Sequence, residues 1–141
     1  MKNIKLLDGA IGQELVRKSR DKATVLWSAM IMLERPELLE EVHSEYFAAG
    51  ATIATTNTYA VLEDRLIKAG WGNRCSELWE VAINLAKSAR KNNGFGLVAG
   101  SIGPLIASYR PEICPPPNEA KLLYKDIVAA LSTQVDLFII E

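Results

Sequence analysis

Four short apolar runs, separated by longer stretches of helical periodicity, constrain this chain more than any other feature. Residues 4–7 form an apolar run closed by Asp8-Gly9, a turn pair. Thr52-Ile53-Ala54-Thr55-Thr56 is β-branched and predicts a second strand. Gly96-Leu97-Val98-Ala99 predicts a third, closed by residues 100–104, and residues 136–140 predict a fourth, followed by Glu141. Between them lie the helices. Residues 13–19 suit a short one. Pro36 opens a clearer one, with Glu37, Glu40 and Glu41 near its positive end and Gly50 after its last turn. Asn73 is placed to cap a long helix whose apolar face is Leu78, Trp79, Ala82, Leu85, Ala86 and Ala89. Residues 108–117 read as a loop, because Pro115, Pro116 and Pro117 exclude regular structure. Asn118 is placed to cap a last helix, through about residue 132. Strands alternating with helices in this order predict an α/β fold with a parallel sheet and right-handed crossovers.

Composition narrows the function classes. The chain has 141 residues, 49% of them hydrophobic and 23% charged, as expected of one globular domain over residues 1–141. The net charge of -1 argues against nucleic acid, and no basic tract suits an anionic membrane. No run reaches the roughly 18 apolar residues of a membrane span. Two cysteines and one histidine are too few for a self-contained Cys/His metal site. A reducing, cytoplasmic setting is the expectation. A hydrophobic strand normally leads into a covering helix, and here the sequence stops on the strand, as either a small open sheet or a truncated barrel would.

In parallel α/β folds ligands bind beyond the carboxyl ends of the strands. Those positions hold Asp8-Gly9, then Asn57-Thr58-Tyr59, then residues 101–104, then Glu141. Two carboxylates without a basic partner suit a cationic ligand group such as an amine. Each residue also has a plain structural reading. Asp8-Gly9 is a common turn pair, and Glu141 a frayed terminal residue. Asn57 and Thr58 could cap the next helix, and Tyr59 could stand at the rim with its hydroxyl in water. Trp27 is either core or a ligand-facing wall. His43, beside Glu40 and Glu41, suits a surface or packing role. Cys75 lies near a helix start, where a thiol can be somewhat acidified, although a plain structural cysteine is the expectation, and Cys114 lies in the proline-rich loop without a visible base. Gly94, Gly96 and Gly100 fail as a dinucleotide loop, because they precede and occupy a strand.

These segments together resemble the homocysteine S-methyltransferase family. The resemblance rests on Leu7-Asp8-Gly9-Ala10-Ile11-Gly12-Gln13-Glu14-Leu15, Leu26-Trp27-Ser28-Ala29 and Pro36-Glu37-Leu38-Leu39 with Val42-His43 and Tyr46. It continues through Ala49-Gly50-Ala51, Thr55-Thr56-Asn57-Thr58-Tyr59, residues 98–104 and residues 136–141. The resemblance implies a parallel (β/α)8 barrel, TIM-barrel-like, of which this chain would hold only the first four strands. It implies methyl transfer to the thiolate of homocysteine, giving methionine. The methyl donor would be S-methylmethionine, S-adenosylmethionine, betaine or methylfolate. Asp8 and Glu141 would hold the amino end of homocysteine, and Gly9 would let it approach the backbone. Trp27 would line the donor side, with Tyr59 and Asn57 near the same pocket. The family's zinc is held by cysteines on late strands, which Cys75 and Cys114 do not match. Zinc ligands are therefore expected beyond Glu141, with no zinc bound by this chain alone. The alternative is a non-catalytic half-barrel that folds by pairing with itself or with a C-terminal half. A third option is a different barrel enzyme using Cys75 or Cys114.

Overall fold

The computed structural model describes residues 4–20 and 26–141, apart from the side chain of Trp27. Among these residues three strands form one parallel sheet in the order β1 (Ile53–Thr55), β2 (Leu97–Ile102), β3 (Leu137–Ile140). Ile53 pairs with Leu97, and Ala99 with Leu137. The first expected strand is reduced to a single parallel bridge, Leu7 to Ile53. Its backbone still follows β1: Thr52 N donates to Leu6 O at 2.8 Å and Asp8 N to Ile53 O at 3.1 Å. Two features shorten it. Its neighbour β1 is only three residues long, and Ile4, Leu6 and Leu7 stay exposed, so extending the ladder would bury little. The result is a three-stranded α/β sheet with one bridge at its edge. The described residues form an open sheet and close no barrel.

Six helices accompany the sheet among the described residues: α1 (Ile11–Ser19), α2 (Trp27–Glu34), α3 (Pro36–Ala48), α4 (Glu63–Lys68), α5 (Cys75–Asn93) and α6 (Pro117–Ser132). Pro36 sits in the first turn of α3, where its missing N–H costs nothing. Gly94 ends α5 in the left-handed conformation, φ 82°, which a glycine adopts freely. Two expected caps are displaced. Asn73 lies in a 3-10 turn, Gly72–Arg74, and Arg74 takes the N-cap position of α5. Pro117 itself begins α6, so the loop expected over residues 108–117 ends one residue earlier and Asn118 lies inside the first turn. Proline suits that place for the reason given at Pro36. The residues after Leu26, expected to be loop or helix start, form α2. Strand β2 extends through Ser101 and Ile102, expected from the sequence to lie in the following loop.

The two faces of the sheet differ. Ala54 and Val98 pack with Phe47, Ala86 and Ala89 of α3 and α5. Gly100 faces the same way, where a Cβ would stand 3.3 Å from Leu131, Phe138 and Val135. Strand alternation sends Thr55, Ser101 and Ile139 to the opposite face, where they line a cavity. No helix among the described residues is long and apolar enough to cross a membrane.

Candidate active site

The cavity has a volume of about 700 Å³ and opens at the carboxyl ends of the strands. Asp8, Gly9, Asn57, Tyr59 and Glu141 all line it. Five of the six residues singled out in the sequence thus meet at one mouth. The sixth, Trp27, has its side chain outside the described residues. Among the described residues no Lys, Arg or His lines the cavity, so the two carboxylates set the sign of the field.

Asp8 is held from β1. Its Oδ1 accepts a 2.6 Å hydrogen bond from Thr55 Oγ1, and its Oδ2 a 2.7 Å bond from Thr55 N. Only 2% of the side chain is exposed. This pairing satisfies a nearly buried carboxylate while leaving each oxygen a further lone pair. At Gly9 the structure shows a close approach by a side chain. A Cβ there would stand 2.7 Å from the Tyr46 ring of α3, so the missing side chain makes room for that phenol. Burial pushes the Tyr46 hydroxyl upward from its ordinary value, helped by the negative charges of Glu14 and Asp8.

Glu141 lies across the mouth. Its Oε1 accepts from Ser101 Oγ at 2.5 Å, and its backbone N donates to Ile102 O at 3.1 Å. Ser101 is fixed in turn. Its N donates to Thr56 Oγ1 at 3.1 Å, its carbonyl accepts from Thr58 Oγ1 at 2.6 Å, and the two threonine hydroxyls lie 2.8 Å apart. This buried hydroxyl network ties the segment after β1 to β2, so the two carboxylates are held by one connected frame.

Asn57 does not cap a helix. It is 9% exposed, and its Nδ2 donates to Ser28 O at 3.1 Å, linking the site to α2. The Tyr59 hydroxyl is not in water. It donates to Ser108 Oγ at 2.8 Å, and the Arg65 guanidinium lies 5.6 Å from the ring centroid. Arg65, 8% exposed, donates to Pro104 O at 2.5 Å and so anchors the loop after β2. Gly103 is needed beside it: a Cβ would lie 2.3 Å from Tyr59 O.

Ser101, expected in the loop after the third strand, lines the cavity from β2 itself. Thr55 and Arg65 are not among the residues that the sequence singles out. A signal exists for Thr55, a hydroxyl residue at a cavity-facing position of an otherwise apolar buried strand, where a polar group requires a partner. His43, expected at a surface or in packing, is fully buried.

The cysteines stand apart. Cys75 is buried at the start of α5, its Sγ donating to Gly72 O at 3.3 Å, and it lines a separate cavity of about 320 Å³. Burial, then the charge of Glu63, raises its thiol above the usual value, the reverse of helix-start acidification. Cys114 is exposed. No group of three or more His, Cys, Asp or Glu able to hold a metal occurs among the described residues, so these residues do not fit a zinc centre.

Comparison with known proteins identifies the lineage. The family model described as homocysteine S-methyltransferase matches residues 5–141. Homocysteine S-methyltransferase YbgG of Bacillus subtilis (strain 168) is 36% identical over 110 residues, 70% of this chain and 35% of its own length. A homocysteine S-methyltransferase of Escherichia coli (strain K12) is 38% identical over 110 residues, 72% of this chain and 36% of its own. The crystal structure of the homocysteine methyltransferase MmuM from Escherichia coli, in its metallated form, superposes with a TM-score of 0.88 at 31% identity. That alignment covers 99% of this chain and 54% of the other. The chain therefore spans about a third of the length of these curated relatives and about half of the solved chain. Matched from its first described strand segment to Glu141, the chain belongs to the homocysteine S-methyltransferase family.

Proposed function

We propose that this chain is the amino-end-binding half of a homocysteine S-methyltransferase barrel, an enzyme that methylates the homocysteine thiolate to give methionine. The observation that carries this is the meeting of Asp8 and Glu141 on one cavity with no cationic side chain among its described lining residues. An ammonium group between two fixed carboxylates gains charge-assisted hydrogen bonds from both sides. Anchoring the amino end orients the rest of the amino acid, and methyl transfer depends on such orientation, because the attacking sulfur must approach the methyl carbon in line. Asn57 and Tyr59 close the wall beside that end, with Tyr59 held by Ser108, which Arg65 also contacts. Trp27 belongs to the donor side in this reading, which leaves S-methylmethionine, S-adenosylmethionine, betaine and methylfolate as candidate donors. The thiol end, and the zinc that serves it in the family reading, fall to residues outside this set. Both cysteines are free, which agrees with a cytoplasmic enzyme.

Isothermal titration of homocysteine tests the reading. Asp8→Asn keeps the shape and removes the charge, and it is expected to weaken binding about tenfold or more, the value of a hydrogen bond to a charged group. Unchanged affinity would remove Asp8 from the site.

One observation favours a second reading, a half-barrel that associates without catalysing. Ile140 and Phe138 of β3 are 73% and 37% exposed, and Leu122 of α6 is 71% exposed. Exposed apolar side chains on a strand at the edge of an open sheet favour association. Light scattering separates the two: a dimer that fails to bind homocysteine supports association alone, and a homocysteine-binding species supports the enzyme half.

A further inference from the structure

Helix α3 turns two side chains, one helical turn apart, onto the Asp8-Gly9 turn. Tyr46 packs its ring against Gly9. His43 places Nδ1 3.8 Å from Asp8 Oδ2. The imidazole is 0% exposed, and neither Nδ1 nor Nε2 has a hydrogen-bond partner among the described residues. Buried polar groups are nearly always paired, and an imidazole left wholly unpaired calls for an explanation. Packing alone does not supply one, because a leucine would fill a buried site without the cost of desolvating two nitrogens.

The nearest anion is the carboxylate of the proposed site. Asp8 Oδ2 already accepts from Thr55 N and retains a second lone pair. A separation of 3.8 Å is longer than a hydrogen bond, and a side-chain shift of under about 1 Å closes it. We infer that His43 is a positioning residue for Asp8: its Nδ1 carries the proton, points at Oδ2, and with Thr55 fixes the plane of the carboxylate that the ligand's ammonium meets. The pairing stands on geometry alone; its effect on homocysteine rests on the proposed function. The arrangement parallels the way a carboxylate sets the tautomer of a neighbouring imidazole elsewhere, here with the carboxylate as the working group.

The chain has a single histidine, so its imidazole can be followed without assignment. The experiment uses the chain labelled with ¹⁵N-histidine and long-range ¹H–¹⁵N correlation. The expected spectrum of the wild-type protein shows the proton on Nδ1, and Asp8→Asn moves it toward Nε2 or changes both nitrogen shifts. A proton on Nε2 that ignores Asp8→Asn overturns the inference. Two substitutions then read the consequence for binding. Asparagine places its amide where Nδ1 stands, whereas glutamine reaches the position of Nε2. His43→Asn is expected to keep homocysteine affinity within about threefold and His43→Gln to lose about tenfold, as for one hydrogen bond to a charged group. Equal loss in both variants makes His43 merely structural and overturns the positioning role. A wild-type chain with its proton on Nδ1 and no affinity for homocysteine upholds the pairing and refutes the ligand assignment instead.

Discussion

Replacing Thr55 by valine removes one atom's worth of chemistry from the centre of the site. The change is nearly isosteric and deletes the hydroxyl that donates to Asp8 Oδ1 at 2.6 Å, leaving the backbone bond from Thr55 N in place. Asp8 is only 2% exposed on its side chain, so water cannot easily replace the lost donor. A hydrogen bond to a charged group contributes about 1.5–3 kcal/mol. Valine's preference for strands returns part of this, on a scale spanning about 1 kcal/mol. The net loss expected is about 1–2 kcal/mol, which lowers the thermal midpoint by roughly 3–10 °C for a chain of this size. Urea and thermal unfolding measure it. A cycle with Asp8→Ala isolates the pair, and a coupling of about 1–2 kcal/mol is expected between the two positions. A valine variant as stable as wild type, or strictly additive effects in the cycle, would refute the claim that Thr55 holds the Asp8 carboxylate.

Other perturbations follow from the same frame. Gly103→Ala drives a methyl to within 2.3 Å of Tyr59 O, and since the obstacle is backbone the unfolding free energy should fall by about 1–3 kcal/mol. Gly12→Ala is the contrast: it meets nothing within 4 Å in α1 and should leave the urea midpoint unchanged or slightly higher. With iodoacetamide on the native chain, peptide mass mapping should find Cys114 labelled first and Cys75 only after unfolding, because Cys75 is buried and its thiol is raised by that burial; equal labelling rates contradict this. Folding raises the Cys75 value, so its contribution is whole below the ordinary thiol range and is lost as the pH climbs through that range and beyond. Cys75→Ser should therefore show a smaller alkaline loss of stability than wild type.

The features legible in the sequence are periodic and local. The β-branched run at 52–56, the apolar run at 136–140 and the helical spacing after Pro36 and Asn73 appear as β1, β3, α3 and α5 within a few residues. Alternation of strand and helix implies parallel pairing, and parallel pairing places Asp8, Asn57, Tyr59 and Glu141 at one end of the sheet, where the cavity is found. These features depend on residue type and spacing within one element, and the sequence displays both.

The tertiary structure decided the rest, because the rest depends on which partner stands opposite. Beside two glutamates on a helix, His43 suits either a surface or a packing role; the packing of α3 against the Asp8-Gly9 turn decides for the buried one. Cys75 has the local setting of an acidified helix-start thiol, and burial outweighs that setting. Ile4, Lys5, Leu6 and Leu7 have the residue types of a strand, yet a three-residue neighbour allows only one bridge. The clamps Thr55 to Asp8 and Ser101 to Glu141 join residues 47 and 40 positions apart. Such distances along the chain are bridged by strand register, which no local pattern encodes.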